Sequence, residues 1–242
     1  MESRGSANDI RRERQREGRL VAHRGMGGLQ LHQIERLRHF KGLENRPAEA
    51  QRQTSGGVGM SPTRFASYVA LSLPIIFIVG LTVVIHANPW FSLQNNALSD
   101  MGSLKNPNRW LFNGLLMLFA VIAMVPSVVA FKHGLSYLMP LALLFLFLVG
   151  VFPEELPYHA PSAVLFYVLA LADIALVGIK LGRQNSVNYL WSVLSVVVFI
   201  TMLYLIRARV FKGLAIPELI GASFILAWFV YIGILLRFET LS

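Results

Sequence analysis

The residues with chemistry to offer are few and they are gathered. "NNALSDMGS", residues 95–103, brings Asn96, Ser99 and Asp100 together, and "FPEELPYHAPS", residues 152–162, brings Glu154, Glu155, His159 and Ser162. Carboxylate, imidazole and hydroxyl are the parts of acid–base and nucleophilic chemistry. Burial near a bilayer raises a carboxyl pKa and lowers that of an imidazole, the tuning such chemistry uses. In that scheme His159 is the base, Asp100 or Glu154 the orienting or metal-binding acid, and Ser99 an oxyanion donor or nucleophile. Ser99, Asp100, Glu154 and His159 are the candidate catalytic residues; Asn96, Asn113, Ser162 and Asp173 are the candidate binding residues.

Each also has a structural use. Ser99 and Asp100 suit the cap of a short helix, and the negative charge of Glu154 and Glu155 is favoured just before a helix start. Asn113 suits a hydrogen bond between helices. Glu155, His159 and Ser162 are spaced four and three apart and would share a face on one helix, yet Pro157 puts the helix start near that point. Asp173 stands inside an apolar run, where an ionisable group reads as functional by default or as hydrogen-bonded to Ser or Thr of another span. The chain has no HExxH, GxSxG, P-loop or GxGxxG pattern. His86, Asp100, Glu154 and His159 are metal-capable, but no spacing among them is diagnostic, so no metal and no cofactor is assigned.

The elements that must position these groups are apolar helices. Of 242 residues 55% are hydrophobic and 14% charged, and there is no cysteine. That excludes disulfides, thiolate nucleophiles and Cys-type zinc or iron–sulfur sites. A bilayer core needs roughly 20 apolar residues per helix. Such runs recur near 65–86, 110–131, 136–152, 160–180, 189–206 and 215–236, the third being the shortest. The expected fold is all-α, a polytopic bundle of six transmembrane helices in residues 60–242. Pro74 and Pro126 are placed to kink their spans, and Trp90, Trp110, Tyr189 and Trp191 to form an interfacial belt.

Residues 1–59 are Arg-rich and lack a sustained apolar period, the composition of a disordered or weakly helical basic region. Residues 1–60 hold 12 of the 22 Lys and Arg, so the formal charge of +9 says little about nucleic-acid binding by the remainder. Gly56-Gly57-Val58 is what a purine-rich ribosome-binding site would encode if read in frame, which makes Met60 the expected start; the alternative is a basic tail on anionic lipid headgroups.

Alternating spans put three connections on one face. Asp100, Glu154, Glu155 and Glu218 fall there with His86 and His159, whereas Glu239 falls on the other face. Arg64, Lys132, Lys180, Arg183 and Arg237 oppose Lys105, Arg109, Arg207, Arg209 and Lys212, an even score under the positive-inside rule. The basic N-terminal region, where present, makes both termini cytoplasmic in a multi-pass protein of the cell membrane.

"NNALSDMGS", "NRWLFNGLL" and "VGVFPEELPYHAPSA" resemble the domain-of-unknown-function family 998, small multispan membrane proteins mostly of archaea and bacteria, over Met60 to Arg237. The resemblance implies the multispan fold and points to Ser99, Asp100, Gly102, Asn113, Phe152, Pro153, Glu154, His159 and Ser162; it implies no reaction. A looser similarity links the Ser, Asp and His set to multispan metal-dependent lipid amidases. Those use a histidine pair near the last span, and this chain has no histidine after His159, so their metal site does not transfer.

Three functions follow. One is a membrane-embedded binding or transport protein whose polar pocket holds a small molecule, ion or lipid headgroup. The second is an intramembrane lipid-directed hydrolase, and the third a structural or partner-binding membrane protein. The lipid bilayer is the partner common to all three, and none involves nucleic acid.

Overall fold

A computed structural model of the chain describes Met60–Phe238. The expectations for the basic region 1–59, the start at Met60 and the side of Glu239 lie outside the described residues. Six α-helices follow one another: α1 (Pro62–His86), α2 (Arg109–Lys132), α3 (Met139–Val151), α4 (His159–Gly182), α5 (Tyr189–Arg207) and α6 (Ala215–Phe238). Short 3-10 turns cover Leu98–Gly102 and Ser186–Asn188, and no strand occurs among the described residues.

Five helical segments, of 22 to 25 residues, are long and apolar enough to cross a membrane. The protein is therefore a multi-pass membrane protein. The expected count of six long spans is not met, because α3 has 13 residues. At 1.5 Å per residue it covers about 20 Å of the roughly 30 Å hydrocarbon layer. The connection before it is tied to α4. Ser136 Oγ (3.1 Å), the Tyr137 amide and the Leu138 amide (2.6 Å) all donate to the carboxylate of Asp173 on α4. The Lys180 ammonium donates to Gly134 O at 2.7 Å. Leu135 and Ser136 are buried while Tyr137 stays exposed, so the turn is anchored on α4, and α3 starts only at Met139.

Local chemistry sets the other ends. Ser61 Oγ caps α1 by accepting from the Arg64 amide, with Pro62 at the first helical position. α1 and α2 run on through Pro74 and Pro126 as single helices. Small residues let the backbones approach: Ala66, Ala70, Ala123, Ala142 and Ala170 are fully buried. Ser67 Oγ donates to Gly233 O across α1 and α6 at 2.7 Å. Trp90 and Trp110 are exposed; Trp191, in the first turn of α5, is half-buried against Trp228 and Tyr231, ring centroids 5.1 Å away in both cases.

The three odd-numbered connections meet at one end. Ser103 Oγ donates to Glu155 across the first two of them. The Gly213 amide donates to Gln94 O and the Ala215 amide to Asn96 O, both at 3.0 Å, joining the α5–α6 connection to the α1–α2 connection. Gly213 sits so close that a Cβ there would lie 2.0 Å from Asn96 O. Only a residue without a side chain permits that approach.

Candidate functional site

The long α1–α2 connection is held from three sides. Asn113 on α2 donates to Gly102 O at 3.1 Å. Asn106 donates to Met101 O at 2.6 Å and to the Asn88 side chain at 2.9 Å. Glu155 accepts from the Leu104 amide on both oxygens at 3.0 Å, besides Ser103. These contacts fix the 3-10 turn that carries Ser99 and Asp100 against the N-terminal ends of α4 and α6.

Between that turn, α4, α5 and α6 lies a cavity of about 490 Å³ lined by Ser99, Asp100, Glu154, Glu155, His159 and Glu218 at one end. Its other wall is apolar and includes Val164, Val168, Met202 and Leu203. A tighter chamber of about 70 Å³ shares Ser99, His159, Tyr167 and Glu218 and runs inward among Phe112, Leu116 and Phe166. Val164 is 60% exposed, Leu203 50% and Ile206 42%, so the larger cavity opens sideways between α4 and α5.

The acids on this wall are not equivalent. Asp100 accepts from Asn96 Nδ2 at 2.9 Å and from the Ala97 amide at 3.1 Å. Glu218 accepts from the Leu98 amide at 2.8 Å. Burial first, then the neighbouring Asp100 and Glu155 carboxyl groups, push the pKa of Glu154 up to about 7. Its sequence neighbour Glu155 is exposed, and the Ser103 hydroxyl and Leu104 amide hold its pKa down to about 2. His159 is buried, with Nδ1 2.6 Å from Phe152 O. A carbonyl only accepts, so Nδ1 carries the hydrogen of this contact.

The eight residues singled out by sequence separate. Ser99, Asp100, Glu154 and His159 line one cavity. Asn96 orients Asp100 from behind. Asn113 clamps Gly102, and Ser162 Oγ donates to Tyr158 O at 2.7 Å within its own helical turn. Asp173 is 14 residues along α4 from His159, about 21 Å away at the helical rise. There it closes the turn before α3, and its carboxylate is engaged by Ser136, Tyr137 and Leu138. The shared helical face of Glu155, His159 and Ser162 does not form, because α4 begins at His159. Glu155 lies before the helix and turns to Ser103 instead.

Three titratable wall residues, Glu155, Tyr167 and Glu218, are not among those eight. Span alternation places Glu155 and Glu218 on this face, and that is the signal the sequence offers for them. Tyr167, two turns along α4 from His159, donates its hydroxyl to Glu218 O at 2.9 Å and ties α4 to α6; an aromatic in an apolar run gives no such signal. Among the described residues no three His, Asp or Glu side chains come together as a group able to hold a metal.

The profile of the family described as "Protein of unknown function (DUF998)" matches residues 71–235. The chain belongs to the DUF998 family. That match spans the cavity-forming connections and most of every helix, α1 and α6 included. No curated protein and no solved structure matches this DUF998 chain.

Proposed function

We propose that this DUF998 protein binds an amphiphile, a lipid or a small molecule with an apolar chain, with its polar head among Ser99, Asp100, Glu154, His159 and Glu218. The observation that carries the reading is the shape and chemistry of the roughly 490 Å³ cavity: acids and an imidazole at one end, an apolar wall open between α4 and α5 along its side. Cavities of a few hundred Å³ with few polar groups on an apolar lining are the usual form of a ligand site. In the same reading α3 and its Asp173-anchored turn complete a sixth crossing of the cell membrane, and both termini are cytoplasmic.

Binding is favoured over hydrolysis by what the side chains touch. Among the described residues no hydroxyl is hydrogen-bonded to the His159 ring, whose Nδ1 is on Phe152 O. An acyl-transfer site would pair a hydroxyl with the imidazole. Transport finds little in Asp173, whose carboxylate is taken up by the turn before α3.

The test is mass spectrometry of amphiphiles that co-purify with the wild-type protein and with Ala160→Phe, which fills the cavity from its exposed rim. A species retained by the wild type and lost from the variant is expected. Identical spectra from two folded proteins would refute the reading.

A further inference from the structure

The reading of the cavity as an amphiphile site leaves the head chemistry open, and the wall addresses it. The polar atoms it presents to a ligand are mostly carboxyl oxygens. The carboxyl groups of Asp100, Glu154 and Glu218 share one end, and among the described residues no Lys or Arg lines the cavity. Lys105 lies beside Glu155, at the outer loop contact. The Tyr167 hydroxyl, which might donate, is engaged on Glu218 O. The second observation is independent of the acids. His159 is 8% exposed, lines both chambers, and is held at Nδ1 by the Phe152 carbonyl, so the ring is fixed in orientation beside the acids and Nε2 is its remaining polar atom.

Carboxylates gathered in a low-dielectric site require protons or a cation to balance them. A phosphate or carboxylate head brings neither donors nor positive charge. An ammonium head brings three N–H donors and the missing charge. We infer that the ligand is a long-chain amine, entering between α4 and α5, with its ammonium group among Asp100, Glu154 and Glu218 and its chain along Val164, Val168 and Leu203. This rests on the amphiphile reading above and goes beyond it in naming the head.

The experiment titrates the full chain in nanodiscs with dodecylamine, dodecanol and dodecyl phosphate, reading saturable binding by calorimetry against Ala160→Phe as the non-specific baseline. Dodecylamine is expected to bind at least ten-fold tighter than dodecanol, with dodecyl phosphate weakest. Glu218→Gln keeps an acceptor for the Leu98 amide, and with Glu154→Gln it is expected to bring dodecylamine to within about three-fold of dodecanol measured on the same variant. Equal binding of amine and alcohol by the wild type, or tighter binding of the phosphate, overturns the amine assignment and leaves the amphiphile site standing. Saturable binding of none of the three overturns both. The wild-type comparison holds whether or not either variant folds.

Discussion

The two ends of the bundle both hold a carboxyl group that a bilayer would make costly, and they resolve it in opposite ways. At the turn before α3, Asp173 is fully buried and wrapped by two backbone amides and a serine hydroxyl. At the other end Asp100, Glu154 and Glu218 face a cavity and share few donors among them. A carboxylate saturated by its own chain is architecture. Carboxyl groups that border an opening and lack counter-charges are the mark of a site.

The largest break in that comparison comes from Asp173→Ala. It strips the acceptor from the Tyr137 and Leu138 amides, and at about 1–3 kcal/mol per orphaned buried donor the loss is roughly 3 kcal/mol or more. Thermal unfolding in detergent should show it as the largest drop among the candidate residues, and retention of amphiphile by whatever fraction stays folded separates fold from site.

Glu154→Gln should act in the opposite direction. The folded-state pKa of Glu154 is raised from 4.5 to about 7, so the folded protein holds a proton there that the unfolded chain has released. Wild-type stability then falls as pH rises from about 4.5 through about 7, and the penalty is complete above that. The glutamine removes it. At pH 8 the variant should be the more stable, by on the order of 1 kcal/mol once solvent screening of a partly exposed group is allowed for, and at pH 4 the two should coincide. Glu155→Gln is the sharp counter-case two atoms of backbone away. With its pKa lowered to about 2, Glu155 contributes stability that is present above 4.5 and lost as pH falls toward 2. Its variant should be less stable at neutral pH and should converge on the wild type at the acid end, as chemical denaturation across pH will show.

Asn113→Ala should cost about 1 kcal/mol by orphaning Gly102 O. It should also loosen the turn under Ser99, visible as faster amide exchange at Leu98–Gly102. The smallest effect belongs to Ser162→Ala, whose hydroxyl bonds only within its own turn. Its unfolding midpoint should move by less than the equivalent of about 0.5 kcal/mol, with amphiphile retention unchanged.

What the sequence made legible follows from the physics of each feature. Apolar runs announce helices because backbone groups in lipid must be satisfied internally, and α1, α2, α4, α5 and α6 lie close to where their runs placed them. The alternation of spans brought Asp100, Glu154 and His159 to one side by counting alone. The third run is the shortest in sequence as well, but the start of α3 at Met139 was not legible, since it depends on Asp173, 35 to 37 residues along the chain from its partners. Glu154 and Glu155 were indistinguishable in sequence; a hydroxyl 52 residues before Glu155 separates them. Trp191 looked interfacial by position and is half-buried against Trp228 and Tyr231, again a contact between distant segments.

The most direct measurement is photo-crosslinking with a long-chain amine carrying a diazirine on its chain, followed by peptide mapping of the labelled full-length protein. The account predicts saturable adducts on α4 and α5 at Val164, Val168, Leu203 and Ile206, displaced by excess dodecylamine. Adducts spread equally over the all-apolar α2–α3 groove at Val121, Val125 and Leu144, with no displacement, would contradict it.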